Sequence, residues 1–390
     1  MEKENNNLLV AIVGILVLLG GLFFWTKAGD FSEMPTGSII IGGLAPLSGD
    51  FAILGESDQR AKELAVEEIN AAGGVNGRPL EIVWEDGKCS SEDATTATQK
   101  LLNIDQVRII LSGPCSDETI AAAALTQVTR AVLLTSSSTS PEITDAGDFV
   151  YRMFPSDAVV GTLLATYSAT ELKSKKAAII SENTNSVQDS RKAFVQTFID
   201  SKNNVVFDEL FEPETTDFRS LLVKMRASAP DVVYVDTASF ESATLILKQM
   251  KEFGIRVLVV TNESILDRER IAKTPMLYEG VIFSEVMFDE TNEKTAAFLA
   301  AFTAKYGTKP ENPFKAAAAY DSVYLLAEAI EAMDGEAPEK ISTYFNDSVI
   351  NWQGAIGIFN FDDNGDAVLQ MNLQKILKGT VTDLVEDLVE

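Results

Sequence analysis

Short apolar runs alternate with amphipathic segments along most of this chain, and that alternation limits the folds open to it. The first predicted strands are SIIIGGL, LEIVWED, VRIILSG and AVLLTSS, and helical segments such as SDQRAKELAVEEINAAGG separate them. In that segment Ala61, Leu64, Ala65 and Ile69 recur at the spacing of one helix face. Strands that alternate with helices predict a parallel sheet covered by helices on both faces.

The alternation begins again after YRMFPSD, residues 151–157, which indicates a second α/β lobe. Further strands are predicted in KAAIIS, NVVFDEL, DVVYVD, IRVLVVT and YEGVIFSEV, and two long helices follow near residues 291–306 and 314–333. The stretch GAIGIFNFDDNGDAVLQMNLQKI predicts a hairpin with DNG as its turn. DDNGD is too short for an EF-hand loop and lacks the distal glutamate, so we interpret it as a plain turn and expect no metal.

Composition disfavours several classes of function. The net charge of −26 argues against nucleic acid as a partner, because phosphate binding needs clustered lysine and arginine on one face. The chain contains no histidine, which removes the usual Ser-His and Cys-His catalytic pairs and the commonest zinc ligand. An enzyme is therefore disfavoured, and no cofactor is expected.

The N-terminal region predicts a membrane anchor. Residues 8–25, LLVAIVGILVLLGGLFFW, carry no charge and would be about 27 Å long as a helix, nearly enough to cross a bilayer. We interpret residues 1–7 as a short cytoplasmic tail and residues 26–37 as a linker. A cleaved signal peptide is the alternative, but TKAGDFSEMPTG offers no small-x-small cleavage site and no cysteine for lipid attachment.

A series of stretches then occurs in the order and at the spacing of a known family. They are GGLAPLSGDFAILGESDQRAKELAVEEINAAGGVNGRPLEIVWED, SGPCSDET, TSSSTSPEIT, YRMFPSD, TTDFRSLLVKMRASAPDVVYV, AAYDSVYLLAEAI and FNFDDNGD. The segment from about residue 38 to 380 resembles the branched-chain amino-acid-binding family of type I periplasmic binding proteins. The resemblance implies two α/β lobes, joined by three crossovers near Asp157, Met287 and Asn360.

With those crossovers, residues 38–156 and 288–359 would form the first lobe, and residues 157–287 and 360–390 the second. The resemblance further implies that the lobes close on a small ligand, an aliphatic amino acid above all, and deliver it to an ABC-type permease. Catalysis is not expected. A sensor is the alternative: a receptor subunit for an amino acid, an amide or a small carboxylate that acts through a partner membrane protein.

The loop SGPCSDET, between a predicted strand and a predicted helix, is the first candidate binding element. Backbone N–H groups near Ser116 and Asp117 would be unpaired at the helix start, where they could hold a carboxylate. The resemblance implies that Ser116 contacts the ligand's carboxylate. In the alternative interpretation, Ser116 or Asp117 only caps the helix.

Two further binding elements follow from the resemblance. In TSSSTSPEIT it implies ligand contacts by Ser138 and Thr139, whereas a hydroxyl-rich turn before Pro141 is the alternative. Glu263, after a predicted strand of the second lobe, would pair with the ligand's ammonium group, since a charge-assisted pair in a closing cleft is strong and directional. Otherwise Glu263 is a solvated loop residue. Carboxylate and ammonium sites on different lobes would couple amino-acid binding to closure.

Three positions depart from the family pattern, which leaves the ligand's side chain open. Leu54 stands where the family commonly has an aromatic residue, and Ser186 with Val187 stands where it has a tyrosine-glycine pair. Phe240 falls close to another aromatic position of the family. We expect Leu54, Ser186 and Phe240 to line the ligand cleft.

The two cysteines lie just beyond strand ends in adjacent βα units. Cys89 and Cys115 could form a disulfide, because neighbouring parallel strands bring their ends together, and family members with a disulfide in these places support that pairing. The alternatives are free thiols, or an enzyme with Cys115 or Ser116 as nucleophile. A disulfide requires an oxidising compartment, so it places residues 38–390 outside the cytoplasm. Together with the predicted anchor, this predicts a single-pass membrane protein.

Overall fold

The computed structural model describes residues 37–49 and 51–384. Within these ranges no helix is both long enough and apolar enough to cross a membrane. The anchor predicted at residues 8–25 lies outside the described residues, as do the tail and nearly all of the linker, so these assignments stay predictions.

The described residues form fifteen β-strands. They are β1 Ile39–Ala45, β2 Leu80–Asp86, β3 Ile109–Ser112, β4 Val132–Thr135, β5 Val150–Arg152, β6 Lys176–Glu182, β7 Asn204–Phe211, β8 Val232–Asp236, β9 Leu258–Thr261, β10 Ile282–Val286, β11 Trp352–Gly354, β12 Gly357–Phe361, β13 Ala367–Val368, β14 Met371–Leu377 and β15 Thr380–Asp383.

Twelve α-helices lie between these strands in the described part of the chain. They are α1 Ala52–Ala71, α2 Ser91–Asn103, α3 Ser116–Thr129, α4 Asp157–Thr170, α5 Asn185–Asp200, α6 Arg219–Ala227, α7 Phe240–Glu252, α8 Arg268–Lys273, α9 Pro275–Tyr278, α10 Glu293–Tyr306, α11 Pro313–Ala332 and α12 Pro338–Ser348. Single turns of 3₁₀ helix occur at Pro141–Ile143 and Glu263–Ile265.

The first lobe is built on a parallel sheet with the strand order β2-β1-β3-β4-β5. The central strands β1, β3 and β4 are mostly apolar, because helices cover both faces of the sheet: α1 and α11 pack on one, and α2 and α3 on the other. Ala61, Leu64, Ala65 and Ile69 of α1 are all buried, which confirms the helix face predicted from their spacing.

The second lobe is built on a seven-stranded sheet with the order β15-β14-β10-β9-β8-β6-β7. The strands from β10 to β7 run parallel, whereas β14 is antiparallel to both β10 and β15. The structure therefore has the two-lobed α/β architecture expected from the alternation. In both sheets the carboxyl ends of the parallel strands are the place where ligands bind in open α/β folds.

The predicted C-terminal hairpin is a small antiparallel sheet, β11-β12-β13, whose last turn contains DNG. The Asp362 carboxylate accepts hydrogen bonds from the N–H groups of Asn364 and Asp366, both at 2.9 Å, as in an ordinary turn. The remainder of the predicted hairpin, β14, leaves this small sheet and joins the second lobe.

The third crossover lies later than the sequence indicated. Asn360, where we expected it, is in β12, and Asp366 forms a bridge and a bidentate ion pair with Arg152 of the first lobe. The chain changes sheets only between Val368 and Met371. A buried guanidinium requires its carboxylate partner, and this requirement keeps residues up to Asp366 on the first lobe.

Candidate functional site

A cavity of 230 Å³ opens between the two lobes, at the carboxyl ends of the parallel strands. Thr139 and Lys315 border it from the first-lobe side. Segments of the second lobe that carry Asp157, Asp236 and Glu263 border it from the other side. The cavity therefore collects polar and charged groups from both lobes.

Helix α3 points an uncapped N-terminus toward this end of the first lobe. Its N-cap residue is Cys115, whose side chain makes no capping hydrogen bond because its sulfur is bonded to Cys89. The N–H groups of Ser116, Asp117 and Glu118 have no acceptor among the described residues. Such a helix start favours an anion.

The Ser116 side chain contacts the loop that carries Thr139. Its hydroxyl oxygen accepts hydrogen bonds from the N–H groups of Thr139 and Ser140, at 3.3 and 3.2 Å, and its side chain does not line the cavity. Ser116 thus joins the two first-lobe loops, and its hydroxyl hydrogen stays available as a donor. Asp117 is exposed and lies outside the cavity lining, so its charge does not face the ligand position.

The Ser138 hydroxyl lies in the interior of the first lobe. It is fully buried, donates to the carbonyl of Gly113 at 3.0 Å and lies 2.8 Å from the Thr119 hydroxyl. A contact between this side chain and a ligand, which we expected, is therefore not what the geometry provides. A one-residue step along the loop turns Ser138 inward and Thr139 outward.

Thr139 lines the cavity and contacts Asp157 at the start of α4. Its carbonyl accepts the Asp157 N–H at 2.9 Å. Burial raises the pKa of Asp157 to about 7, although a hydrogen bond from Thr139 and the positive charge of Lys315 act to lower it. This carboxyl therefore titrates near neutral pH.

Glu263 opens the 3₁₀ turn that follows β9 and borders the cavity, as the sequence indicated. Its side chain is accessible to solvent, but that solvent fills a cleft with protein walls. Because of this burial the pKa of Glu263 is raised, with the nearby charge of Lys315 acting against the rise. A ligand ammonium group that entered the cleft would meet this carboxyl group.

Lys315 was missed by the sequence analysis. It lies in the first turn of α11, lines the cavity, and its ammonium group is 5.5 Å from the centre of the Phe154 ring. A signal was present in the sequence, because Lys315 is the single charge in an otherwise apolar run, PFKAAAAY. Among the described residues no carboxylate forms a salt bridge with it, so this cation is available to the cleft.

Of the remaining predicted contacts, Leu54 and Phe240 are not brought to the cavity. Leu54 is exposed on α1 and is not part of the lining. Phe240 packs in the second lobe, with its ring 5.9 Å from that of Tyr278 and 5.0 Å from the Arg270 guanidinium. Ser186 lies in α5 and its side chain falls outside what the structure describes; its neighbour Val187 reaches the cavity.

Cys89 and Cys115 form the disulfide, with their Cα atoms 5.3 Å apart. This bond ties the loop before α3 to the loop after β2. The Cys115 sulfur is consumed by it, so the interpretation of Cys115 as a nucleophile is wrong.

The comparison with known families agrees with this geometry. The family model described as "Periplasmic binding protein" matches residues 38–380. The chain belongs to that family. Its members bind solutes, so this chain is a binding protein and not an enzyme.

Named relatives of this binding protein share about a quarter of its residues. An "Amino acid binding protein" of Pseudomonas aeruginosa is 27% identical, with 84% of this chain and 87% of the relative covered. The "Leucine-, isoleucine-, valine-, threonine-, and alanine-binding protein" of the same organism is also 27% identical, with 86% and 88% covered.

This binding protein is also similar to a solved structure over most of its length. The ABC transporter substrate-binding protein of Desulfitobacterium hafniense, in complex with Leu, is 29% identical, has a TM-score of 0.70, and is covered over 100% of its length by 89% of this chain.

Proposed function

We propose that this binding protein captures an α-amino acid between its two lobes and delivers it to an ABC-type permease. The observation that carries the proposal is the position of opposite binding elements around one cavity. Thr139 of the first lobe and Glu263 of the second lobe line the cavity. The open N-terminus of α3 lies outside the lining, but its first residue, Ser116, accepts a hydrogen bond from the Thr139 N–H.

The two elements match the two charged groups that all α-amino acids share. Helix-terminal N–H groups favour a carboxylate, and the carboxylate of a glutamate favours an ammonium group. A ligand that bridges them would also hold the lobes together, since its affinity for the closed arrangement exceeds that for the open one.

The size of the cavity supports a small ligand. At 230 Å³ it is below the range of about 300–1,000 Å³ that drug-sized ligands occupy. Phe154, Val160, Val187, Val286 and Met371 give it apolar walls. Aliphatic amino acids, which the Pseudomonas aeruginosa relative is named for binding, are the first ligands to examine.

We further propose that residues 8–25 anchor the chain in the cell membrane and that the binding domain lies on the extracytoplasmic side. The support is the uncharged length of residues 8–25 together with the Cys89–Cys115 disulfide, which persists in an oxidising compartment. Retention in the membrane fraction after a carbonate wash would be expected. Release by that wash would contradict the anchor without affecting the proposed ligand.

Isothermal titration of the protein with a panel of amino acids, their amides and small carboxylates tests the proposed ligand class. At least one α-amino acid should bind with a stoichiometry near one, and the α-amide of that amino acid should bind more weakly. Failure of every α-amino acid to bind would overturn the proposal.

A further inference from the structure

Asp236, at the carboxyl end of β8, borders the cavity but has no role in the capture described above. Its side chain is fully buried, and its Oδ1 accepts a hydrogen bond from the Asn262 amide at 2.8 Å. In the described part of the chain its Oδ2 has no partner at ordinary hydrogen-bond geometry, although the Tyr234 and Ser190 hydroxyls are close enough to influence its pKa. Buried polar atoms are nearly always paired, so an unpaired carboxylate oxygen at a ligand cavity needs an explanation.

The position of Asp236 brings it next to Glu263. Strands β8 and β9 are paired in parallel, with Val235 opposite Thr261, so Asp236 stands opposite Asn262 and one residue from Glu263. Neighbouring strands lie about 4.8 Å apart. Two carboxylates therefore reach the same end of the cavity from adjacent strand ends.

Acidic side chains outnumber basic ones around the cavity. Asp157, Asp236 and Glu263 border it, and Lys315 is the one cationic side chain in the described lining. The nearby Arg152 is buried and bound to Asp366, outside the cavity. The ammonium group of a zwitterionic ligand would pair with Glu263 and would leave Asp236 without a cationic partner.

The role inferred for Asp236 rests on the proposed capture of an α-amino acid. We propose that Asp236 accepts a hydrogen bond from a second cationic group, at the end of the ligand's side chain, so that the ligand is an α-amino acid with a basic side chain. The apolar walls formed by Val160, Val187, Val286 and Met371 would pack against the methylene carbons of that side chain, as protein surfaces do with lysine.

The protonation of Asp236 is consistent with this assignment. Burial raises the pKa of Asp236 well above its ordinary value, with the negative charge of Asp157 acting in the same direction. Burial thus favours the neutral form of this carboxyl, whereas a cation bound beside it would favour the charged form. An aliphatic side chain would gain nothing from a carboxyl at this place, since an apolar residue would serve it better.

Calorimetric titration with L-lysine and L-norleucine gives a direct test, because the two ligands differ by one ammonium group. Lysine should bind the protein at least about tenfold more tightly than norleucine, and Asp236→Asn should remove that preference. The asparagine keeps an oxygen for the Asn262 amide, so the strand end should fold as before. Norleucine affinity should change by less than about twofold.

Asp231→Asn is the matched control. Asp231 precedes the other end of the same strand, is exposed, and accepts backbone hydrogen bonds from Lys175 and Lys176. The substitution Asp231→Asn removes the same charge from the same lobe, but far from the cavity. The preference for lysine over norleucine should therefore persist.

The outcomes separate the two proposals. Equal or tighter binding of norleucine or leucine would overturn the role of Asp236 and leave amino-acid capture intact. If Asp236→Asn weakened the binding of lysine and of norleucine by equal factors, the role of Asp236 would likewise be overturned. Binding of no α-amino acid at all would overturn both.

Discussion

The Glu118 carboxylate accepts a 2.7 Å hydrogen bond from the backbone N–H of Cys89, and so connects α3 to the loop that the disulfide fixes. Glu118 is fully buried beneath this loop. Burial raises its pKa to about 7, and the negative charges of Asp86 and Asp58 act in the same direction. The ammonium group of Lys62 acts against the rise, but it is held by the Asp58 carboxylate at 2.6 Å.

The raised pKa of Glu118 predicts a loss of stability as pH rises. Between the ordinary value of 4.5 and about 7, folded Glu118 keeps a proton that the unfolded chain releases, so the free energy of unfolding falls through this window. Glu118→Gln keeps the acceptor for Cys89 but cannot ionise. It should raise the free energy of unfolding by roughly 1–3 kcal/mol at pH 8 and change it little near pH 4.5.

Urea unfolding of both proteins at these two pH values measures the difference. Glu81→Gln, at an exposed position of β2, controls for the loss of one charge. A difference between Glu118→Gln and the parent protein that did not vary with pH would contradict the raised pKa.

Removal of the disulfide should destabilise the protein without abolishing the fold of the second lobe. Cys89 and Cys115 are separated by 26 positions, and a loop of that length corresponds to about 3.5 kcal/mol of stabilisation. The double substitution to serine should lower the free energy of unfolding by about that amount. Parent protein unfolded with a reductant should match the double variant; a loss below about 1 kcal/mol would contradict the prediction.

Glu263→Gln should weaken an α-amino acid far more than an analogue without the ammonium group. The charge-assisted pair would be replaced by a neutral contact, at a cost of about 1.5–3 kcal/mol, or roughly 10- to 150-fold in Kd. Titration with the tightest amino acid of the panel and with its α-hydroxy analogue compares the two losses. Equal losses would remove Glu263 from the ammonium site.

Lys315→Met tests the cation that the cavity already contains. Its removal should strengthen binding of a basic amino acid by about threefold or more, since a like charge leaves a poorly hydrated site, and should affect a neutral amino acid less. Lys309→Met is the control, because Lys309 is exposed and pairs with Glu290. A large and equal loss for both ligands would instead assign Lys315 to the ligand's carboxylate.

Asp366→Ala should destabilise the first lobe at the third crossover. The Arg152 guanidinium is fully buried and donates to both carboxylate oxygens of Asp366. Removal of one partner from such a pair costs about 3–5 kcal/mol, because the other charge is left buried and alone. Thermal unfolding of Asp366→Ala and of Asp363→Ala, in the same turn but exposed, measures the effect; equal midpoints would contradict it.

The sequence by itself determined the architecture. The buried face of α1 and the order of strands and helices follow from local spacing, which the chain carries within each segment. The pairing of Cys89 with Cys115 was predicted from neighbouring strands, but β1 lies between β2 and β3 in the sheet. The loops that follow β2 and β3 bring the two cysteines together. Thr139 and Glu263 line the cavity, and both lie in loops that follow the carboxyl ends of parallel strands, β4 and β9. Their contacts with a ligand stay predictions.

The tertiary structure decided how the site is composed. Neighbours in one loop turn in opposite directions, so that Ser138 is buried and Thr139 lines the cavity, and a periodic pattern does not extend through a loop to distinguish them. Lys315 and Asp236 reach the cavity from a helix and a strand that are far apart in the chain. The strength of a contact between a ligand and either side chain depends on distance and burial. The tertiary structure sets both, and the local sequence encodes neither.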